Sequence, residues 1–421
     1  MSLSSGKIAE ILFEKTKETY EHQMQLLPLC EFEQPDGGTL QNAGNVIWKP
    51  TQQHAPVIDG FDLTGQETGI IEQTYPCILG TPKNDFVEQR IDDMRDRGFW
   101  ERRGVQSGMR QATELNKNIA AAVATQGSLF FRSNVDSGYE FIGQAQAIMN
   151  ERQAYQSQRN FVINDRDNLV FGGDLAGRQT LQGRPETVWA KGQINQNVAE
   201  FDTFTGSFLP NMVGGASPAA TVTGAQSFAP EGGSVDTATG IVTNVDYRAA
   251  TIPVSDSTGY NVGDKVTIGA VQSVGLADKN PTGQLMTFSI VAKPDGTSIT
   301  VYPKPIAAVD PALSTTELAY ANVDVVIPNA AVVARLNTAA SEKTNIFWDK
   351  SAVEVMGGAI PAELFKQFDG MKVISDTMSN GQSLYLIYDG SLDTLNLRMR
   401  LFTWYGLTIA NPSNCGVGLH Y

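Results

Sequence analysis

Met286-Thr-Phe-Ser-Ile-Val, Lys293-Pro-Asp-Gly-Thr and Ser298-Ile-Thr-Val-Tyr follow one another as strand, turn and strand. Pro-Asp-Gly between two β-branched runs is a hairpin signal, because those residues adopt the turn angles that close two antiparallel strands. Upstream, Ala249-Ala-Thr-Ile-Pro-Val and Asp264-Lys-Val-Thr-Ile add two more short runs of the same kind. Residues 221–305 therefore read as a compact β-rich module. Just before it the chain loosens into Val213-Gly-Gly-Ala-Ser-Pro-Ala-Ala, and helical signal returns only after Pro311, at 330–336. The flanks look like parts of a different domain, so the module reads as an insertion.

At 421 residues the chain is too long for one ordinary core, and two or more domains are expected. No segment approaches the roughly 20 apolar residues of a membrane helix. The N-terminus, Met1-Ser-Leu-Ser-Ser-Gly-Lys-Ile-Ala-Glu, carries charge at once and has no apolar leader, which predicts a protein made and kept in a cytoplasm. Cys30, Cys77 and Cys415 are odd in number and far apart, fitting neither a disulfide framework nor a zinc site. A net charge of −14 argues against tight, sequence-independent nucleic-acid binding, which Lys and Arg carry. Such a chain could surround DNA without gripping it.

The first 33 residues begin with an amphipathic helix. Ile8, Ile11, Leu12 and Phe13 share one side, with Glu14, Lys15, Lys17, Glu18 and Glu21 mostly on the other. Such a helix needs a surface to bury its stripe: its own domain on one reading, a neighbouring subunit on the other. Residues 45–80 look extended, and the polar middle from Thr51 to Gly69 reads as a β-hairpin reaching away from its domain, or as a surface loop. The longest helical signal is 84–127, starting in the charge-dense Asp85-Phe-Val-Glu-Gln-Arg, with Gly98 and Gly104 as interruptions. Its apolar stripe is Val105, Met109, Ala112, Asn116, Ile119 and Val123. Further on come a helix around 141–155 and a hairpin pairing Met371-Lys-Val-Ile-Ser with Leu384-Tyr-Leu-Ile-Tyr around Ser379-Asn-Gly. A last strand-like run, Leu401-Phe-Thr-Trp-Tyr-Gly-Leu-Thr-Ile, follows.

Catalytic constellations are missing from the sequence. His22, His54 and His420 have no partner at metal-ligand spacing. Gly172-Gly-Asp-Leu-Ala-Gly-Arg matches neither a phosphate loop nor a dinucleotide fingerprint and reads as a turn. Asp92, Asp93, Asp295 and Asp310 sit in charged or turn segments where carboxylates are ordinary. No cofactor or metal is expected, and the reading points to assembly or binding rather than an enzyme. A shell-forming protein of a non-viral nanocompartment and a ligand-binding β-module protein remain open on these residues alone.

Asn45-Val-Ile-Trp-Lys-Pro, Gly60-Phe-Asp-Leu-Thr, Asn84-Asp-Phe and Asp92-Asp-Met-Arg-Asp occur in order, followed by Ser227-Phe, Thr287-Phe-Ser-Ile-Val and Pro303-Lys-Pro. Ala319-Tyr-Ala-Asn-Val, Thr344-Asn-Ile-Phe-Trp, Trp404-Tyr-Gly and Gly416-Val-Gly-Leu complete the set. This ordered set resembles the coat proteins of short-tailed lambdoid phages over essentially the whole chain, least in 128–220. The resemblance implies an α+β fold of the HK97-like tailed-phage capsid type with an inserted telokin-like β-barrel.

It also implies a domain plan: 1–33 as N-terminal arm, 34–50 and 77–127 as peripheral domain with a spine helix, and 51–76 as an extended loop. Residues 128–216 and 338–400 would form the axial domain, 217–337 the insertion barrel, and 401–421 a strand returning to the peripheral domain. The implied partners are further copies of the chain in pentamers and hexamers of an icosahedral shell, a scaffolding protein, and a portal protein at one vertex. The shell would enclose double-stranded DNA without sequence-specific contacts, assemble in the host bacterial cytoplasm, and involve no membrane.

The implied contact residues are Asp236 and Asp246 on the acidic insertion loop between capsomers, Glu14 and Glu18 facing the scaffolding protein, and Asp59, Asp62 and Glu67 on the extended loop. Lys15 and Lys17 interleave with the two arm acids, so that patch is less cleanly acidic. Some shells of this fold lock with a Lys–Asn isopeptide bond whose lysine sits on the extended loop. Residues 51–76 contain no lysine, so that chemistry has no nucleophile there.

Overall fold

The computed structural model describes residues 5–421 apart from 36–43, 52–60, 62–63, 65–72, 91–95, 155–156, 178–196, 217–219, 232–233, 236–237, 239–241, 361–364, 366–370 and 391–395. The chain divides into two units, one of residues 1–47, 76–119 and 354–408, the other of 48–75, 120–353 and 409–421.

The first unit is built on an N-terminal helix, α1 (Ser5–Gln23), and most of a long helix, α2 (Arg97–Gln126). Ile8, Ile11, Leu12 and Phe13 are buried, as the helical spacing predicts, together with Thr16 and Tyr20. They are buried within this chain: the Thr16 hydroxyl donates to Leu12 O and Gly104 O, and the Tyr20 hydroxyl donates to Gln382 at 2.9 Å. Gly104 does not interrupt α2. A Cβ there would stand 2.9 Å from Leu12 O, and one at Gly108 would stand 2.7 Å from Thr16 O. The two glycines are the notch into which α1 packs. The buried line of this half of α2 accordingly runs through Trp100, Gly104, Ser107 and Gly108, while Val105 and Met109 are exposed.

The charge-dense stretch before α2 is a strand. Lys83–Arg90 alternates half-buried and exposed residues and pairs antiparallel with Asn396–Thr403 over its whole length. Charges that look like helical i, i+4 partners are cross-element pairs instead: Glu88 lies opposite Arg398 (3.3 Å), and Asp85 accepts from Arg103 (2.9 Å) and Ser107 of α2. Asp92 and Asp93 lie outside the described residues. The sheet continues through Ser383–Gly390 to Lys372–Thr377, the hairpin expected around Ser379-Asn-Gly. A second sheet pairs Glu31–Glu33, Val353–Gly357 and Tyr405–Ile409. The run 401–409 is thus broken at Trp404 into strands of two sheets, and Trp404 anchors the break by donating its indole N–H to Gly80 O at 2.6 Å.

In the second unit, a seven-stranded sheet has the order Leu129–Ser133, Cys415–His420, Ser341–Asp349, Arg159–Ile163, Phe201–Thr205 and Asn197–Val198, with Asn211–Val213 also on Ser341–Asp349. Helices α3 (Gly138–Glu151) and α4 (Asp165–Gly177) belong to the same unit. The Gly172-Gly-Asp segment read as a turn lies inside α4. Phe131, Phe141, Phe161, Phe171, Phe201 and Phe347 form one buried aromatic core, with Phe161 and Phe347 stacked at 5.8 Å. Residues 354–408 fall in the unit of α1, their strands pairing with Lys83–Arg90 and Glu31–Glu33. Residues 409–421 fall in the second unit, where Cys415–His420 is inserted between Leu129–Ser133 and Ser341–Asp349.

The inserted module is an eight-stranded sheet. Pro281–Ala292 and Ser298–Tyr302 are the hairpin joined at Pro-Asp-Gly, and Lys265–Val274 and Val332–Arg335 extend the sheet. Within 330–336 the structure has a strand, Val332–Arg335, and no helix, as the adjacent β-branched Val332 and Val333 favour. The ends of the sheet meet: Thr223 N donates to Pro253 O (2.9 Å) and Ser255 N to Thr221 O (2.8 Å). The sheet is closed into a barrel around Val222, Ile252, Val266, Ile268, Phe288, Ile290 and Val333.

Candidate assembly surfaces

The polar face of α1 is a ladder of alternating charge. Lys15 pairs with Glu18 at 2.6 Å and Lys17 with Asp376 at 2.6 Å, while Glu21 accepts from Ser379 N at 2.8 Å. The hydrogen bond from Lys15 holds the Glu18 carboxyl below its ordinary range. Glu14 is exposed beside this pair. Of the two acids expected to face a partner, Glu18 is already engaged by its neighbour.

The extended segment is described only at its base. Val46–Pro50 and Thr74–Ile78 form a two-stranded sheet, and Thr51 N donates to Gln73 O at 2.8 Å. Asp59, Asp62 and Glu67 lie outside the described residues, as do His54 and Asp236.

Asp246 is placed, half-buried and already paired. Its carboxylate takes two N–H groups of Arg248, at 2.9 and 2.7 Å, a forked ion pair that also orients the guanidinium toward Ile409 O. Tyr75 and Tyr302 lie 5.4 and 5.8 Å from that guanidinium. Glu231, at the start of the same acidic loop, pairs with Lys304 at 3.2 Å. Both acids tie the loop to its own barrel.

Lys265 is the most buried cation of the inserted barrel, at 0 % exposure. Its ammonium donates to Gly127 O (2.6 Å), Thr125 O (3.2 Å) and Ser289 Oγ (2.8 Å). The first two are carbonyls at the C-terminal end of α2, where the helix dipole favours a cation. Sequence reasoning missed it, since a lysine within a β-branched run ordinarily marks a solvated face. Burial pushes the ammonium down to about 7 from an ordinary 10.5. The unfolded chain therefore binds the proton more tightly, so the cost is full below pH 7 and fades as pH rises toward 10.5. Lys265→Met orphans two carbonyls and is expected to lose about 1–3 kcal/mol. In urea titrations at pH 7 and pH 9, the gap between wild type and Lys265→Met should widen at pH 9. A gap that narrows would contradict this role.

Among the described residues no group of three or more His, Cys, Asp or Glu could hold a metal ion. Cys30, Cys77 and Cys415 are buried cysteines outside any disulfide, and burial pushes the Cys415 thiol up to about 12. His420 stands 3.5 Å from Asp136 and 3.8 Å from Asp167, with its ring edge-on to Phe141 and Phe171. That is a strand-end contact on the aromatic core. No described helix is long and apolar enough to cross a membrane.

Comparison with known proteins gives the family of the chain. The CUS-3 coat protein I-domain is 34% identical, covering 30% of this chain and 100% of that one, with a TM-score of 0.24. The capsid of cyanophage P-SCSP1u is 11% identical over 93% of this chain and 86% of that one, with a TM-score of 0.45. A structure from Mycobacterium phage Che8 is also 11% identical, over 94% and 90% respectively, with a TM-score of 0.45. The family described as P22 coat protein - gene protein 5 matches residues 1–420. The chain belongs to this coat protein family, and it is a structural capsid protein whose copies build the shell.

Proposed function

We propose that the chain assembles with a scaffolding protein into a closed icosahedral shell of pentamers and hexamers, with a portal protein at one vertex, in the host bacterial cytoplasm. The observation that carries this reading is the family match over residues 1–420, which includes every surface described above. The shell would enclose double-stranded DNA without reading its sequence. The net charge of −14 supports this, because a lining that gripped phosphates would hinder filling and release.

Within the shell, Asp59, Asp62 and Glu67 are assigned to the extended loop lying across a neighbouring copy. Asp236 is assigned to contacts between capsomers, whereas Asp246 serves there only if it leaves Arg248. Such contacts are individually weak and repeated by symmetry, so a growing shell can release a misplaced copy. The role in assembly is structural rather than catalytic.

Glu14 is the sharper of the two proposed scaffold contacts, since Lys15 occupies Glu18. Glu14→Lys is expected to weaken scaffold binding two- to fivefold, the size of one exposed ion pair at about 0.5–1 kcal/mol. Co-sedimentation of the variant chain with its scaffolding protein reads this directly. Unchanged binding would remove Glu14 from that interface.

A further inference from the structure

A cavity of about 100 Å³ lies beside the inserted barrel, closed on one side by Asn411 to Ser413. Its lining includes three cations, Arg248, Lys279 and Lys304, and no Asp or Glu among the described residues. In a chain with a net charge of −14, three converging cations are not a matter of composition. Two of them have a carboxylate partner, Asp246 for Arg248 and Glu231 for Lys304. The third is different.

Lys279 donates its ammonium to Ala319 O at 2.7 Å and Ala321 O at 3.2 Å, and no carboxylate of the described residues forms an ion pair with it. An ammonium has three N–H donors, so one remains for another acceptor. The backbone is bent to place it: Lys279 has φ +56°, the left-handed region that disfavours an L side chain. The turn is held by Gly275 N to Asn280 O and Lys279 N to Gly275 O, both at 2.9 Å. The neighbouring Asp278 carboxylate is used within the same turn, accepting from Asn280 N at 3.2 Å. Burial already pushes the Lys279 ammonium down to about 8, so its charge is held at a cost that a bound anion would offset. Arg248 and Lys304, each more than nine-tenths buried, line the same space with their charges held in place by Asp246 and Glu231.

We propose that this cavity binds one small oxyanion, of the phosphate or carboxylate class, with Lys279 as its direct cation and Lys304 and Arg248 as flanking charges. The space is large enough for a small oxyanion with accompanying water. An occupied site ties the barrel to the chain segment that leads into the last strand.

The test is isothermal titration of the full unassembled chain with inorganic phosphate and, separately, with acetate, at matched ionic strength in chloride. Saturable phosphate binding weakened tenfold or more in Lys279→Met, and retained in Lys279→Arg, supports a phosphate site. The same pattern with acetate alone supports a carboxylate site. Absence of saturable binding for both anions, or equal affinity in wild type and Lys279→Met, overturns the proposal. Should Lys279→Met fail to fold, Lys304→Gln replaces it, with the same expected loss and the same overturning result.

Discussion

Phe347→Ala is expected to destabilise the second unit by about 3–5 kcal/mol, the range for removing a fully buried phenyl ring. Phe347 is at 0 % exposure and touches Phe131, Phe161 and Phe201 at centroid distances of 5.8, 5.8 and 6.1 Å. It also lies on the strand that pairs with both Arg159–Ile163 and Cys415–His420. The alanine leaves a cavity between three rings and removes one stacked, one tilted and one edge-to-face ring contact, worth roughly 0.5–1.5 kcal/mol each. Backbone packs directly on this ring, since a Cβ at Gly416 would stand 2.7 Å from it. Urea unfolding followed through the adjacent, buried Trp348 measures the change. A loss under about 1 kcal/mol, as at an ordinary surface site, would show that Phe347 is not the centre of this core.

The double variant Gly104→Ala, Gly108→Ala should release α1. Two opposing effects meet here. Alanine raises intrinsic helix propensity by about 1 kcal/mol per site. Against this, both methyl groups meet α1 backbone, at 2.9 and 2.7 Å, and backbone does not yield as a side-chain tip does. Retreat of α1 exposes Ile8, Leu12, Phe13 and Tyr20, and each such side chain contributes about 1.5–3 kcal/mol when buried. The clash therefore wins. Hydrogen exchange of the α1 amides is the direct readout, with protection expected to fall at least tenfold. Unchanged protection together with a raised melting temperature would mean that propensity had won and that the glycines do not form the notch.

How far the sequence could be read depended on the range of the interactions. The hairpin at Lys293-Pro-Asp-Gly was legible because its signal is confined to a few residues, and the stripe Ile8, Ile11, Leu12 and Phe13 because helical spacing is local. Closure of the barrel was not, since it rests on bonds such as Ser255 N to Thr221 O between segments with no mutual pattern. Strand Lys83–Arg90 was hidden by its charges, whose partners lie on Asn396–Thr403 and α2. Gly104 was misread because a missing Cβ marks a helix breaker in one context and a close approach in another. Lys265 gave no local sign, since its partners Gly127 and Thr125 are far along the chain, and for Arg248 only Asp246 is local while Ile409 is not. Among the expected contact residues, Glu14, Glu18 and Asp246 are placed, and two of those three already have partners within the chain.

The shell itself is the central claim, and negative-stain electron microscopy of the purified chain, expressed with and without its scaffolding protein, tests it most directly. The account predicts uniform closed shells when the scaffolding protein is present, and monomers or irregular particles without it. Monomers under both conditions would contradict it.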